Sequence, residues 1–209
     1  MQDYYAARAH EYDRIYAKPE RQSDLRRMES WLPQALADRS VLELACGTGY
    51  WTQFYAPAAS RVVALDSSPE TLDIARARVP PNVQLLTGDA YQPPQAVMAF
   101  DAAFAGFWWS HIPLQRIPAF LERLHAVLQP GARVIFLDNR FVPGSSTPLA
   151  ERTPEGDTWQ QRKLQDGSTH RVLKNFPTAE FLLGTVEPYA VAASYRQWTY
   201  FWALDYTLK

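Results

Sequence analysis

The stretch Val41-Leu42-Glu43-Leu44-Ala45-Cys46-Gly47-Thr48-Gly49-Tyr50-Trp51-Thr52 decides the fold. It opens as an apolar run that reads as a short buried strand over about 40–45. It then turns through two glycines and enters a helical pattern that runs to about Tyr55, ahead of Pro57. A strand, a glycine turn and a helix in that order set unpaired backbone N–H groups and a positive helix end at the carboxyl edge of a sheet. Open α/β sheets bind their ligands there. Glycine gives the turn dihedrals closed to other residues and lets a ligand approach the backbone. Glu43 sits near the strand end, where a lone buried carboxylate is costly, so a cationic or donor-rich ligand is its expected partner.

Downstream, Arg61-Val62-Val63-Ala64-Leu65-Asp66 reads as a second buried strand ending in an acid. Asp66 lies 19 residues beyond Gly47, the separation at which an acidic side chain reaches the ribose hydroxyls of an adenosine cofactor. It also suits a helix N-terminus, because Ser67-Ser68-Pro69-Glu70 starts a helix well, predicted over 69–78. A third strand, Val83 to Leu86, leads into Thr87-Gly88-Asp89-Ala90, where Gly-Asp by itself is only a turn signal. The third glycine of a dinucleotide G-x-G-x-x-G would fall at Thr52, which disfavours a nicotinamide cofactor.

Glu43-Leu44-Ala45-Cys46-Gly47-Thr48-Gly49 resembles motif I of the class I S-adenosylmethionine-dependent methyltransferases, and the Asp66 and Gly88-Asp89 landmarks follow in that family's order. The resemblance implies an α/β fold: a single Rossmann-like doubly wound sheet of about seven strands, the last antiparallel, with helices on both faces. It implies S-adenosylmethionine as cofactor. Glu43, Ala45, Cys46, Gly47, Thr48, Gly49 and Trp51 would surround it from motif I, and Asp66 and Ser67 would meet the ribose. Gly88, Asp89 and Ala90 would meet the adenine, with Phe104 from the fourth strand and Tyr12 from an N-terminal helix completing the set.

Tyr5, Tyr12 and Tyr16 recur near helical spacing within residues 2–18, which predicts an amphipathic helix. In the small-molecule enzymes of the family such a helix covers cofactor and substrate, so Tyr5, Tyr12 or Arg8 is expected to line the site. A second helix over about 20–37 carries Leu25, Met28, Trp31, Leu32 and Leu36 on one face. Phe100 to Ala105 reads as the fourth strand, followed by Gly106-Phe107-Trp108-Trp109-Ser110-His111-Ile112-Pro113. An aromatic cluster in a loop is unfavourable unless covered. Trp108 and Trp109 are therefore expected substrate walls, and His111 is the expected general base, a task that suits a group titrating near neutrality.

A helix over Leu114 to Leu128 closes at Pro130-Gly131, and Ala132 to Leu137 is the fifth strand. Asp138-Asn139 follows it, as in metal-dependent catechol-type methyltransferases, but the fourth strand ends in Phe104-Ala105-Gly106 and offers no further carboxylate. Two oxygen ligands do not make an octahedral site, so no metal is expected. Asp138, Asn139 or Arg140 is expected to touch substrate instead. Residues 141–177 are irregular, and Trp159 with Arg162-Lys163 favours an ordered substrate cap. Thr178 begins a helix to about Val186, and Val191–Gln197 and Tyr200–Thr207 should pair as an antiparallel hairpin.

The chain reads as one domain over 1–209, with residues 1–37 covering the site. A net charge of −1 argues against polyanionic partners, as does the lack of the Asp/Asn-Pro-Pro-aromatic signature of nucleic-acid amino-methylases. One cysteine rules out an intrachain disulfide framework, and no signal peptide or membrane-length apolar run is seen, so a cytoplasmic monomer or homodimer is expected. The expected function is methyl transfer to a small aromatic or apolar metabolite, with oxygen or nitrogen as the favoured acceptor. A non-catalytic S-adenosylmethionine-binding sensor or partner subunit is the alternative, and a nucleotide-dependent oxidoreductase is a third, disfavoured one.

Overall fold

The computed structural model describes residue 13 and residues 15–94, 100–164 and 167–209. Its frame is a seven-stranded sheet. β1 (Ser40–Leu44), β2 (Arg61–Asp66), β3 (Val83–Thr87), β4 (Phe100–Gly106) and β5 (Leu128–Asn139) are joined by β9 (Ala190–Gln197) and β10 (Phe201–Leu208) in the order β3-β2-β1-β4-β5-β10-β9. The first five pair in parallel, whereas β10 runs antiparallel to both its neighbours, β5 and β9. This is the expected doubly wound sheet with a reversed last strand. β1 pairs with β2 on one flank and β4 on the other, so the strand order reverses at β1 and opens a crevice beyond its carboxyl end.

The strands are apolar on both faces because helices cover both. On one side α1 (Gln22–Ala35) buries Leu25, Met28 and Leu32, set three and four residues apart, against Val41, Val62 and Ile135. On the other, α4 (Ile117–His125) and α5 (Ala179–Val186) bury Phe120, Leu121, Leu124, Leu182 and Val186 against Leu42, Val134 and Phe136. The short α2 (Thr52–Tyr55) follows the glycine turn, and α3 (Pro69–Arg76) starts at Ser68, whose hydroxyl accepts from the Thr71 N–H. Thr178 likewise caps α5 by accepting from the Phe181 N–H.

Two expectations change. The helix predicted over 114–128 is a 3-10 turn, Leu114–Arg116, followed by the nine residues of α4. Pro130-Gly131 then lies inside β5, where Gly131 takes φ 78° beside the register shift in the β4–β5 ladder. Residues 141–177, read as irregular, fold into a second antiparallel sheet of β6 (Glu151–Arg152), β7 (Thr158–Lys163) and β8 (Thr169–Leu173). Polar residues on both faces hid its alternation. The helix predicted over 2–18 falls largely outside the described residues. Among the described residues no helix is long and apolar enough to cross a membrane.

Candidate functional site

β1 ends in a backbone that few sequences tolerate. Ala45 takes φ 53° and Gly47 φ 55°, left-handed conformations that cost little at glycine and roughly 1 kcal/mol or more at alanine. Two contacts fasten this turn to β2: the Cys46 N–H donates to the Leu65 carbonyl (3.0 Å), and the Gly47 N–H donates to the Asp66 carboxylate (2.8 Å). Asp66 also accepts from the Ser68 N–H (2.9 Å) and the Thr71 hydroxyl (3.2 Å), so it both closes the turn and starts α3. Burial raises the Asp66 carboxyl above its ordinary range against these hydrogen bonds.

A cavity of about 300 Å³ opens at this edge. Ala45, Gly47, Asp66, Ser67 and Thr71 form one wall; Asp89, Ala90 and Tyr91, after β3, form the next. Gly106, Phe107, Trp108 and His111, after β4, face them, with Arg116 alongside. The structure thus joins predicted Ala45, Gly47, Asp66, Ser67, Asp89, Ala90, Trp108 and His111 around one space. Asp89 makes an Asx turn by accepting from the Tyr91 N–H (2.9 Å), and Gly88 donates its N–H to the Asp66 carbonyl (2.9 Å).

Several other expected contacts lie behind the wall. Glu43 needs no ligand to satisfy it: the Thr52 and Tyr55 hydroxyls both donate to its Oε2 at 2.7 Å. Burial still pushes its carboxyl up to about 7. Thr48 donates to Asp13 (2.6 Å), which pairs with Arg78 (2.6 Å), so its hydroxyl is engaged by Asp13. Gly49, at φ 71°, is glycine for packing: a Cβ there would stand 3.0 Å from Val79 and 3.2 Å from Ala75. The Cys46 thiol is buried, and burial first, then Glu43 and Asp66, pushes it well above its usual range.

Trp51 and Phe104 lie beneath the floor. A Cβ on Gly106 would meet Trp51 at 2.8 Å and Phe104 at 3.2 Å, so only glycine lets these two rings pack directly under the wall at that point. Phe104 packs edge-on against Tyr55, and Trp51 lies within the aromatic group of Tyr16, Tyr50, Phe54 and Phe107. Trp109, expected as a substrate wall, is a core residue edge-on to Phe136 and Trp202 and does not line the cavity. Arg140 donates to the Trp198 and Thr199 carbonyls (2.8 and 3.0 Å), clamping the β9–β10 turn instead of facing the cavity. Tyr5 and Tyr12, like Arg8, lie outside the described residues.

His111 ends the 3-10 turn Trp109–His111 and is buried on the cavity wall. Its Nδ1 lies 2.6 Å from the Leu173 carbonyl, which can only accept, so Nδ1 carries the proton and the neutral ring has Nε2 as its basic nitrogen. Burial first, then Lys174 and Arg162, hold the imidazole well below its ordinary pKa and keep it neutral. Asp138 does not line the cavity either. Its carboxylate takes the Lys174 ammonium (2.8 Å) and the Ser110 N–H (2.9 Å) in full burial. Burial would raise that carboxyl, but the Lys174 ammonium, with the Ser110 N–H, outweighs it and holds it low. Among the described residues no group of three or more His, Cys, Asp or Glu side chains could hold a metal ion.

Phe107, Tyr91, Thr71 and Arg116 were not singled out as site residues from the sequence, although Phe107 and Tyr91 adjoin residues that were. Phe107 takes φ 58°, a second non-glycine left-handed residue on the wall, with its N–H on the Leu137 carbonyl (2.6 Å). The Arg116 guanidinium lies 3.9 Å over the Tyr91 ring.

A methyltransferase domain family matches residues 41–131. The chain is 30% identical to DhpI in a DhpI–SAM–HEP complex, covering 97% of this chain and 94% of that one with a TM-score of 0.79. The chain belongs to the class I S-adenosylmethionine-dependent methyltransferases. A DhpI–SAH complex is similar at 29% identity and a TM-score of 0.80, over 98% of this chain and 93% of that one. The malonyl-[acyl-carrier protein] O-methyltransferase of Serratia marcescens is 35% identical over 133 residues, 62% of this methyltransferase chain and 46% of that relative. The chain spans under half the length of the first curated relatives it matches.

Proposed function

We propose that this chain transfers a methyl group from S-adenosylmethionine to an oxygen or nitrogen of a small molecule with an aromatic or apolar body. One observation carries this reading: a single cavity joins Gly47, Asp66 and Asp89 to His111 and Trp108. The residues present fit the cofactor. Gly47 lets the backbone approach it, Asp66 and Asp89 offer acceptors to ribose hydroxyls and an adenine amine, and Tyr91 offers a ring face. DhpI is solved with SAH and with SAM, which supports the same cofactor here. When bound, S-adenosylmethionine supplies an already activated methyl on a sulfonium, so what remains for the protein is alignment and one proton.

The chain's residues divide that work. Trp108 and Phe107 hold the acceptor by its apolar body, while neutral His111 takes the proton from the acceptor at Nε2, its ring fixed by the Leu173 carbonyl. The Serratia relative, an O-methyltransferase by name, favours oxygen as the acceptor. The 141–177 segment caps the acceptor end, supported by the hydrogen bonds between residues 173–175 and residues 110–112. We read the chain as one domain acting in the cytoplasm on a free small molecule, as a monomer or homodimer.

The test is calorimetric titration with S-adenosylhomocysteine, with NADH as control, followed by a methyl-transfer screen of small aromatic alcohols, acids and amines. Binding of the former, none of the latter and turnover of an acceptor are expected. Binding of NADH alone would overturn the cofactor; S-adenosylhomocysteine binding with no turnover of any acceptor would favour a non-catalytic sensor. His111→Ala should cut turnover about 100-fold or more with cofactor affinity unchanged. Equal losses in both would remove His111 from the chemistry.

A further inference from the structure

The end of β8 is bound, residue by residue, to the turn that carries the candidate base. Leu173 accepts from His111 Nδ1 through its carbonyl (2.6 Å), and the Asn175 N–H donates to the Ser110 carbonyl (2.8 Å). Asn175 Nδ2 donates to the Ile112 carbonyl (3.2 Å). Between them, the Lys174 ammonium donates to the Ser110 hydroxyl (2.5 Å) and to Asp138 Oδ1 (2.8 Å), whose Oδ2 accepts the Ser110 N–H (2.9 Å). Lys174, Ser110, His111, Asp138 and Asn175 are all buried.

A buried lysine is expensive, and a buried ion pair with a hydrophobic replacement would commonly be no less stable, so stability alone is a poor reason for this one. Its placement gives a better reason. We propose that Lys174 is a positioning residue for His111: with Asp138 and the Ser110 hydroxyl it locks the Ser110–His111 turn to the end of β8, so that the His111 ring stays on the Leu173 carbonyl with a cationic group set against its turn. This rests on His111 being the base, but its geometry and its test do not need an acceptor.

Among the described residues Arg162 lies on β7, Lys174 just past the end of β8 and Asp138 on β5, and all three act on the His111 ring electrostatically. Asp157 is hydrogen-bonded to Asn175, and Asp66, Asp89 and Arg116 line the same cavity as His111. Lysine and aspartate oppose each other at the imidazole, so removing each should move its titration in opposite directions.

The experiment is an NMR titration of the histidine rings in the full chain, with His111 assigned by its loss in His111→Gln. In the wild type the His111 midpoint should lie well below that of a free imidazole, with Nδ1 carrying the proton of the neutral ring. Lys174→Gln should bring that midpoint up, and Asp138→Asn should take it further down. If Lys174→Gln does not fold, the Lys174→Gln/Asp138→Asn double variant keeps a neutral hydrogen-bonded pair. It should still raise the midpoint, because the lysine outweighs the aspartate. Midpoints that do not move, or that move the same way in both single variants, would overturn the proposal. If His111→Ala turns over normally while these shifts occur, the fault lies in the base assignment and not in the positioning.

Discussion

Glu43 offers a prediction whose size follows from its surroundings. The carboxyl is fully buried beside β1's end, with two hydroxyls on Oε2, and burial raises its pKa from an ordinary 4.5 to about 7. A carboxyl whose folded pKa lies above its unfolded value binds its proton more tightly when folded. Its proton-linked stability is therefore complete below about pH 4.5 and is lost as pH rises towards about 7. Each pH unit of displacement corresponds to about 1.4 kcal/mol, so the loss is about 3 kcal/mol. Glu43→Gln keeps an oxygen to accept from Thr52 and Tyr55 and cannot ionise. In urea unfolding from pH 4.5 to 8, the variant's stability relative to wild type should climb by that amount, levelling off above about pH 7.5. A difference that stays flat with pH would refute the claim that Glu43 is carried through neutrality as a strained, half-ionised buried acid.

Asp66→Ala should weaken S-adenosylhomocysteine binding by one to two orders of magnitude, about 1.5–3 kcal/mol by calorimetry; unchanged affinity would remove Asp66 from the cofactor site. Gly49→Ala meets Val79 at 3.0 Å in a left-handed backbone, and a loss of about 2 kcal/mol in thermal or chemical unfolding is expected, with none if the turn relaxes freely. Ala45→Gly should stabilise the fold by up to about 1 kcal/mol by relieving φ 53°, read as a higher urea midpoint; a lower midpoint would mean that the turn carries no strain.

The parallel half of the sheet was legible because each strand is a short apolar run ended by a chemically specific residue. Arg61–Asp66 is predicted and observed with the same limits, and the Asp66–Gly47 contact joins two landmarks spaced in the sequence as a cofactor site requires. What the sequence hid is what depends on distant partners. Trp108 and Trp109 are neighbours of one residue type, yet one faces the cavity and the other packs on Trp202; only the 3-10 turn separates them. Arg140 and Asp138 look like substrate contacts until the β9–β10 turn and Lys174 supply their partners. Lys174 itself stands between Val172-Leu173 and Phe176 in a stretch read as irregular, and its own residue type does not distinguish it from a solvated lysine. That a buried Glu43 needs a partner was legible, but the expected partner was a ligand, whereas Thr52 and Tyr55 come from the helix that the glycine turn folds back over it.

The place of β10 has a consequence for how the chain is made. β5 gains one neighbour, β4, almost as soon as it leaves the ribosome. Its other flank waits for Phe201–Leu208, which pair with it from Phe201 opposite Asn139 to Thr207 opposite Arg133. Until that segment is synthesised, the nascent chain holds an apolar strand with an open row of N–H and C=O groups, a template for pairing with another chain. Arg133, which β10 neutralises through Asp205, is meanwhile a charge set into that open edge, a feature that discourages such pairing. A stop after Tyr200 would make the exposure permanent, so such a product is expected to aggregate or be degraded even though every residue of the cavity wall has been made.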